Sequence, residues 1–137
     1  MKEFISWEQY QEAIDGMVRQ YEEHYKNSEC GAIYGLPRGG LPIAVSLSHR
    51  LNLPLLMNYY DRKIVTDKQI LVVDDIADTG HTLNDFDNDH NVIFTIHHHD
   101  DSITTPHFWM WDKYDKWIVY PWEREDSETM QDYLNRV

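Results

Sequence analysis

The chain has 137 residues, 42% of them hydrophobic and 26% charged, which suits one soluble globular domain with a single core. Its formal charge of −12, from 12 basic and 24 acidic residues, argues against a nucleic-acid or anionic-membrane surface, because such binding is driven by basic residues releasing counterions. A small anionic ligand stays open, since backbone amides, one arginine and a metal ion can hold it on an otherwise acidic protein.

No run approaches the roughly 18 apolar residues of a membrane span, and the opening MKEFISWEQY lacks the apolar stretch of a signal peptide. The one cysteine, Cys30, has no internal partner, so the expected location is intracellular and cytoplasmic. Ser6 followed by Gln9 reads as a capping box opening a helix of about fifteen residues. Tyr10, Ala13, Ile14, Met17, Val18 and Tyr21 follow helical spacing along it. Residues 22–29 form a polar connector, and 30–36 (CGAIYGL) have the length and bounding glycine and proline of a buried strand. After Pro37-Arg38-Gly39-Gly40, residues 41–51 place Ile43, Ala44, Leu47 and Leu51 on one helical face, with Asn52 as C-cap. Residues 53–60 (LPLLMNYY) read as a strand with Pro54 at its start or on an edge. Residues 70–74 are the clearest strand, ending in two aspartates. A short helix over 82–87, strands over 91–98 and 117–120, and a terminal helix over 127–136 capped by Ser127 complete the order. The aromatic-rich residues 108–117 (FWMWDKYDKW) suit either internal packing or an interface. Alternating strands and helices imply one α/β domain, residues 1–137, with a mostly parallel sheet flanked by helices.

The chemistry concentrates at 72–82. A buried strand delivers Asp74 and Asp75 to its carboxyl end, where open α/β sheets bind ligands. Adjacent carboxylates accept hydrogen bonds from a vicinal diol, or one helps to hold Mg2+ through water. Asp78-Thr79-Gly80-His81-Thr82 then turns into a helix and points successive amides at one spot, which suits a phosphate monoester. Diol holder plus phosphate cradle describes a ribose 5-phosphate site; the plain alternative is a solvated strand end followed by a turn. One strand–helix unit upstream, Gly39 and Gly40 let backbone approach a large anion and Arg38 offers bidentate contacts, although an RGG triplet also makes an ordinary turn. Residues 117–123 (WIVYPWE) make an aromatic wall for a flat base, with Trp122 better read as core. His97-His98-His99 raises a metal reading, but alternation along a strand separates His98 from the other two.

The pattern of an apolar run, two acids, an apolar residue, any residue, Asp-Thr-Gly, any residue and Thr over 70–83 resembles the motif with which type I phosphoribosyltransferases bind 5-phosphoribosyl-1-pyrophosphate (PRPP). The resemblance implies that Asp74 and Asp75 hold the ribose hydroxyls and approach the metal. Thr79, Gly80, His81 and Thr82, with Asp78, wrap the 5-phosphate, His81 through its amide alone, and Asp78 accepts the proton of the incoming base. The GLPRGG segment is similar to the pyrophosphate loop of the xanthine–guanine branch, which implies a cis peptide before Arg38 and pyrophosphate contacts from Arg38, Gly39 and Gly40. The string W-I-x-x-P-W-acid is similar to that branch's C-terminal one, so Trp117 is expected to stack on a purine and Ile118 to meet its 2-substituent. Where relatives carry a lysine for the purine 6-oxo group, His98 stands here. Asn58-Tyr59-Tyr60-Asp61 resembles the start of the family's hood loop, which implies that Tyr60 covers the pyrophosphate, with Arg62 and Lys63 adding charge. Only residues 61–68 remain of that hood.

What the resemblance implies is Mg2+-dependent transfer of 5-phosphoribose from PRPP to a 6-oxopurine in purine salvage, giving the nucleoside monophosphate and pyrophosphate, by a homo-oligomer. The reduced hood keeps a second reading open, a catalytically weak PRPP- or nucleotide-binding regulatory protein. Transfer to a different base is a third, and a metal module on His97–His99 a fourth.

Overall fold

The computed structural model describes residues 1–25 and 29–126. Lys2–Phe4 form a short strand β1, and Ser6 then caps helix α1, Trp7–His24. The Ser6 hydroxyl accepts from the Gln9 amide at 3.0 Å, and the Gln9 side chain accepts from the Ser6 amide at 2.9 Å, satisfying two N–H groups that a helix start leaves open. The helix runs past the point where a connector was expected at residue 22. Glu22 and Glu23 are good helix formers on a solvated face, and polarity alone does not stop a helix.

Cys30–Gly35 form β2, Gly40–Leu51 form α2, and Asn52 ends that helix in the left-handed conformation at φ 55. The strand expected over 53–60 shrinks to β3, Leu55–Leu56. Pro54 has no N–H to donate; its carbonyl accepts from Ile33 at 2.9 Å. The Asn58 side chain then accepts from the Tyr60 amide at 2.9 Å, which starts a 3-10 turn at Tyr59–Asp61 that passes into α3, Arg62–Val65. Gln69–Ala77 form β4, His81–Asn84 form the one-turn α4, Asn91–His99 form β5 and Phe108–Lys113 form β6.

These strands make a five-stranded sheet in the order β3-β2-β4-β5-β6, parallel throughout. One face packs against α1 and α2 through Ile14, Met17, Ile43, Leu47, Leu71, Val73 and Phe94. The other face collects Leu36, Leu56, Ile70, Val72, Leu83 and Ile93. The aromatic stretch from Phe108 thus supplies β6, the half-buried edge strand of this sheet. The last short strand, β7 (Trp117–Val119), leaves the main sheet and pairs in parallel with β1, Lys2 opposite Trp117. The terminal helix expected over 127–136 lies outside the described residues. Among the described residues no helix is long and apolar enough to cross a membrane.

β4 is also longer than expected. Its ladder continues past the aspartates, with Ile76 opposite His97 and Ala77 opposite His98. Val73 and Ile76, three residues apart, serve one cluster, while Val72 and Ala77 serve the other. The two-residue alternation of faces thus lapses across Asp74 and Asp75, which sit inside the strand rather than at its tip.

Candidate active site

Because the strands of the main sheet are parallel, the segments that follow β2, β4, β5 and β6 all emerge at one end, the end where open α/β sheets hold ligands. The loop after β2 is laid directly on β4. The Pro37–Arg38 peptide is cis, and the Leu36 amide donates to the Val73 carbonyl at 3.0 Å. A methyl group added at Gly39 would overlap the Asp75 carboxylate, and one added at Gly40 would overlap the Val73 carbonyl. The two glycines therefore bring the loop backbone against the acid pair, closer than any side chain permits. Arg38 is exposed beside them.

Asp75 is held at its backbone as well as by this contact. Its amide donates to the Asp74 carboxylate at 2.8 Å and its carbonyl accepts from the Tyr120 hydroxyl at 3.1 Å. Burial pushes its carboxyl up to about 6, with the negative Glu123 adding to the rise and a hydrogen bond from Asp74 opposing it. Two adjacent carboxylates of this kind suit Mg2+, which takes one or two protein carboxylates and completes its shell with water and phosphate oxygens.

Asp78-Thr79-Gly80 follow β4. Gly80 has φ 82, a left-handed turn that favours glycine, and an added methyl would strike the Ser102 hydroxyl. The Thr79 carbonyl accepts from Ile103 at 2.9 Å, and the Gly80 carbonyl accepts from the Thr104 hydroxyl at 2.8 Å. Ile103 and Thr104 thus brace the Thr79-Gly80 turn from the segment after β5, a role the sequence reading missed. The signal available was the hydroxyl-rich SITT string. His81 and Thr79 are exposed, and Thr82 is half-buried.

At the other side of the site Lys113, the last residue of β6, donates to both Asp78 oxygens at 2.9 and 3.0 Å. Its ammonium lies 5.9 Å from the centre of the Trp117 ring, and Trp117 is 39% exposed while Ile118 is buried. Lys113 is the functional candidate the sequence reading passed over; its signal was a lone lysine closing the aromatic strand FWMWDK. His98 is placed elsewhere: its ring centroid lies 4.4 Å from that of Trp109, and both its nitrogens are buried with no hydrogen-bond partner among the described residues. It pairs with Asp112, whereas His99 pairs with Lys113, and neighbouring positions in a strand face opposite ways. Tyr60 is 82% exposed.

His97 lies buried behind the acid pair, its Nδ1 2.8 Å from the Tyr120 hydroxyl. The Tyr120 proton goes to the Asp75 carbonyl, which can only accept, so Nδ1 of His97 carries the other proton and donates to the Tyr120 oxygen. Burial, with the Lys113 charge adding to it, lowers His97 to about 4. A histidine kept neutral by the fold takes up a proton on unfolding as soon as the pH falls below its ordinary value. Its contribution to stability is therefore complete above pH about 6.5 and declines towards pH 4, by about 2–3 kcal/mol. Urea unfolding at pH 7.5 and 4.5 is expected to show the stability of wild type relative to His97→Asn falling by this amount, the variant keeping every other titrating group.

The three histidines do not converge. His97 turns to Tyr120, His98 to Trp109, and the Nδ1 of His99 accepts from the Asp101 amide at 3.0 Å. Among the described residues no group of three or more His, Cys, Asp or Glu is arranged to hold a metal ion.

No protein-family model matches the sequence, and no curated protein sequence does. Solved structures do match. A purine phosphoribosyltransferase from Pyrococcus horikoshii OT3 is 28% identical over 94% of this chain and 99% of that one, with a TM-score of 0.73. The xanthine-guanine-hypoxanthine phosphoribosyltransferase of Helicobacter pylori is 20% identical over 98% of this chain and 97% of that one, TM-score 0.73. A hypothetical protein from Neisseria gonorrhoeae with bound ppGpp is 18% identical over 99% of this chain and 94% of that one, TM-score 0.74.

Proposed function

From the premise that the chain has the type I phosphoribosyltransferase fold, we propose that it is a phosphoribosyltransferase acting on a 6-oxopurine. The observation that carries this reading is the approach of Gly39 to the Asp75 carboxylate, one strand end from the Asp78, Lys113 and Trp117 cluster. Asp74 and Asp75 hold the ribose hydroxyls as positive charge develops at C1, stabilising it by preorganised electrostatics. Backbone amides from Thr79 to Thr82 take the 5-phosphate. Arg38 and the amides of Gly39 and Gly40 take the pyrophosphate, with Tyr60 over it. Asp78 accepts the proton of the purine, while Trp117 stacks on its ring beside Ile118. Asp75 and Asp74 would hold Mg2+, which would supply charge neutralisation at the leaving pyrophosphate. A homo-oligomer working in cytoplasmic purine salvage is the setting this reading implies.

One observation favours a second reading. The hood is reduced to a 3-10 turn and the one-turn α3, so water is poorly excluded, and one structural neighbour carries bound ppGpp. A nucleotide-sensing binding protein would keep the cradle without the turnover. Incubation with PRPP, Mg2+ and, separately, guanine, xanthine, hypoxanthine, adenine and orotate decides between them. Nucleotide formed from a 6-oxopurine supports transfer. Tight calorimetric binding of a nucleoside monophosphate without pyrophosphate release supports the sensor.

A further inference from the structure

Resting on the phosphoribosyl-transfer reading, we propose that Tyr120 is a positioning residue for that reaction. Its buried hydroxyl fixes the backbone of Asp75, and with it the place of the Asp75 carboxylate against the Gly39 loop. The need for such a residue arises in the sheet itself. The β4–β5 ladder pairs Asp74 with Thr95 and Ile76 with His97, and passes over Asp75. The β5–β6 ladder pairs Thr95 with Trp109 and His97 with Trp111, and passes over Ile96 in the same row. At this lapse the Asp75 carbonyl accepts from the Tyr120 hydroxyl at 3.1 Å, and the Asp75 amide donates to the Asp74 carboxylate at 2.8 Å. An aspartate carboxylate stands two rotatable bonds from its own backbone, so a backbone held on both sides limits where it points.

Tyr120 is itself held. Nδ1 of His97 lies 2.8 Å from its hydroxyl, and its amide donates to the Glu123 carboxylate at 2.8 Å. Its ring stacks on Trp122 with centroids 5.1 Å apart and planes at 5°. Trp122 meets Tyr10 edge-on at 5.5 Å. The Tyr10 hydroxyl is 2.9 Å from the Pro42 carbonyl, in the first turn of the helix that begins at Gly40. The bond that holds the Asp75 backbone and the loop that meets its carboxylate therefore rest on one chain of side chains.

Tyr120 is 3% exposed, so it acts on substrate only through Asp75. A tyrosine that merely filled the core would cost the fold the same when altered, whatever stood at position 75, and the folded variant would turn over normally. A positioning tyrosine matters to the rate only while a carboxylate is there to be positioned. Misplacing a reacting group by about 1 Å costs about a hundredfold in rate.

The test is a double-mutant cycle of Tyr120→Phe and Asp75→Asn, read by single-turnover transfer from PRPP to hypoxanthine with Mg2+. Tyr120→Phe alone is expected to slow transfer by about tenfold to a hundredfold, with the KM for hypoxanthine unchanged. In the Asp75→Asn background the same substitution is expected to cost less than about twofold. Equal costs in the two backgrounds, or a wild-type rate in Tyr120→Phe, overturn the proposal. If Tyr120→Phe does not fold, the cycle is run with His97→Leu, which removes the other bond to the hydroxyl, and the absence of coupling to Asp75 overturns it. If wild type forms no nucleotide from hypoxanthine, guanine or xanthine, the transfer reading has failed. The cycle is then read by calorimetry with inosine monophosphate and Mg2+, and additive losses of affinity overturn the positioning of Asp75 by Tyr120.

Discussion

Asp75→Asn is expected to stabilise the protein at pH 8 by about 1–2 kcal/mol while lowering phosphoribosyl transfer by about a hundredfold to a thousandfold. The two effects share one cause. Burial raises the Asp75 carboxyl to about 6, so at pH 8 the fold must carry a charge that the unfolded chain hydrates fully. A carboxyl raised in this way favours the fold most below its ordinary value near 4, and that advantage is lost as the pH rises through 6. Asparagine keeps the shape and removes the charge, so its gain is present at pH 8 and vanishes at pH 4. In the proposed reaction the same charge stabilises a ribose with positive character at C1, and a neutral amide supplies little of it. Urea unfolding at the two pH values, set beside single-turnover transfer, reads both effects. Lower stability of the variant at pH 8 would contradict the account of Asp75.

The second large effect concerns the glycines of the loop after β2. Gly40→Ala is expected to destabilise the fold by about 3 kcal/mol or more. A methyl there overlaps the Val73 carbonyl, with the backbone of Asp74 and Gly35 close behind. These are backbone atoms held in the sheet and cannot rotate aside. Gly39→Ala makes the contrast. Its methyl meets the end of the Asp75 side chain, which can move, so the fold tolerates it and the displaced carboxylate costs activity instead. Melting temperatures and transfer rates of the two variants are expected to separate cleanly, Gly40→Ala in the first and Gly39→Ala in the second. The reverse order would show that the loop does not lie on β4 as described.

Much of this was legible in the sequence where local chemistry is strict. Ser6 and Gln9 announce a helix start because few other arrangements satisfy two helix-start amides. Asn52 announces a left-handed C-cap, and the order of strands and helices implied the parallel sheet. What stayed hidden depends on contacts distant along the chain. β1 is three exposed residues, Lys-Glu-Phe, with no apolar pattern, and becomes a strand only because β7 lies beside it. β4 read as ending at Asp74 because two acids interrupt an apolar run, yet β5 continues the ladder past them. Lys113 shows no motif of its own. Its meaning comes from β6 lying next to β5 and from Asp78, and so does the brace that Thr104 gives Gly80.

Phosphorus NMR of PRPP incubated with the purified protein, Mg2+ and hypoxanthine tests the central claim most directly. The account expects the PRPP resonances to be replaced by those of free pyrophosphate and a nucleoside monophosphate, only when the base is present. PRPP that stays intact with hypoxanthine, guanine and xanthine alike, while the protein still binds nucleotide, would contradict it and leave a cradle that senses rather than transfers.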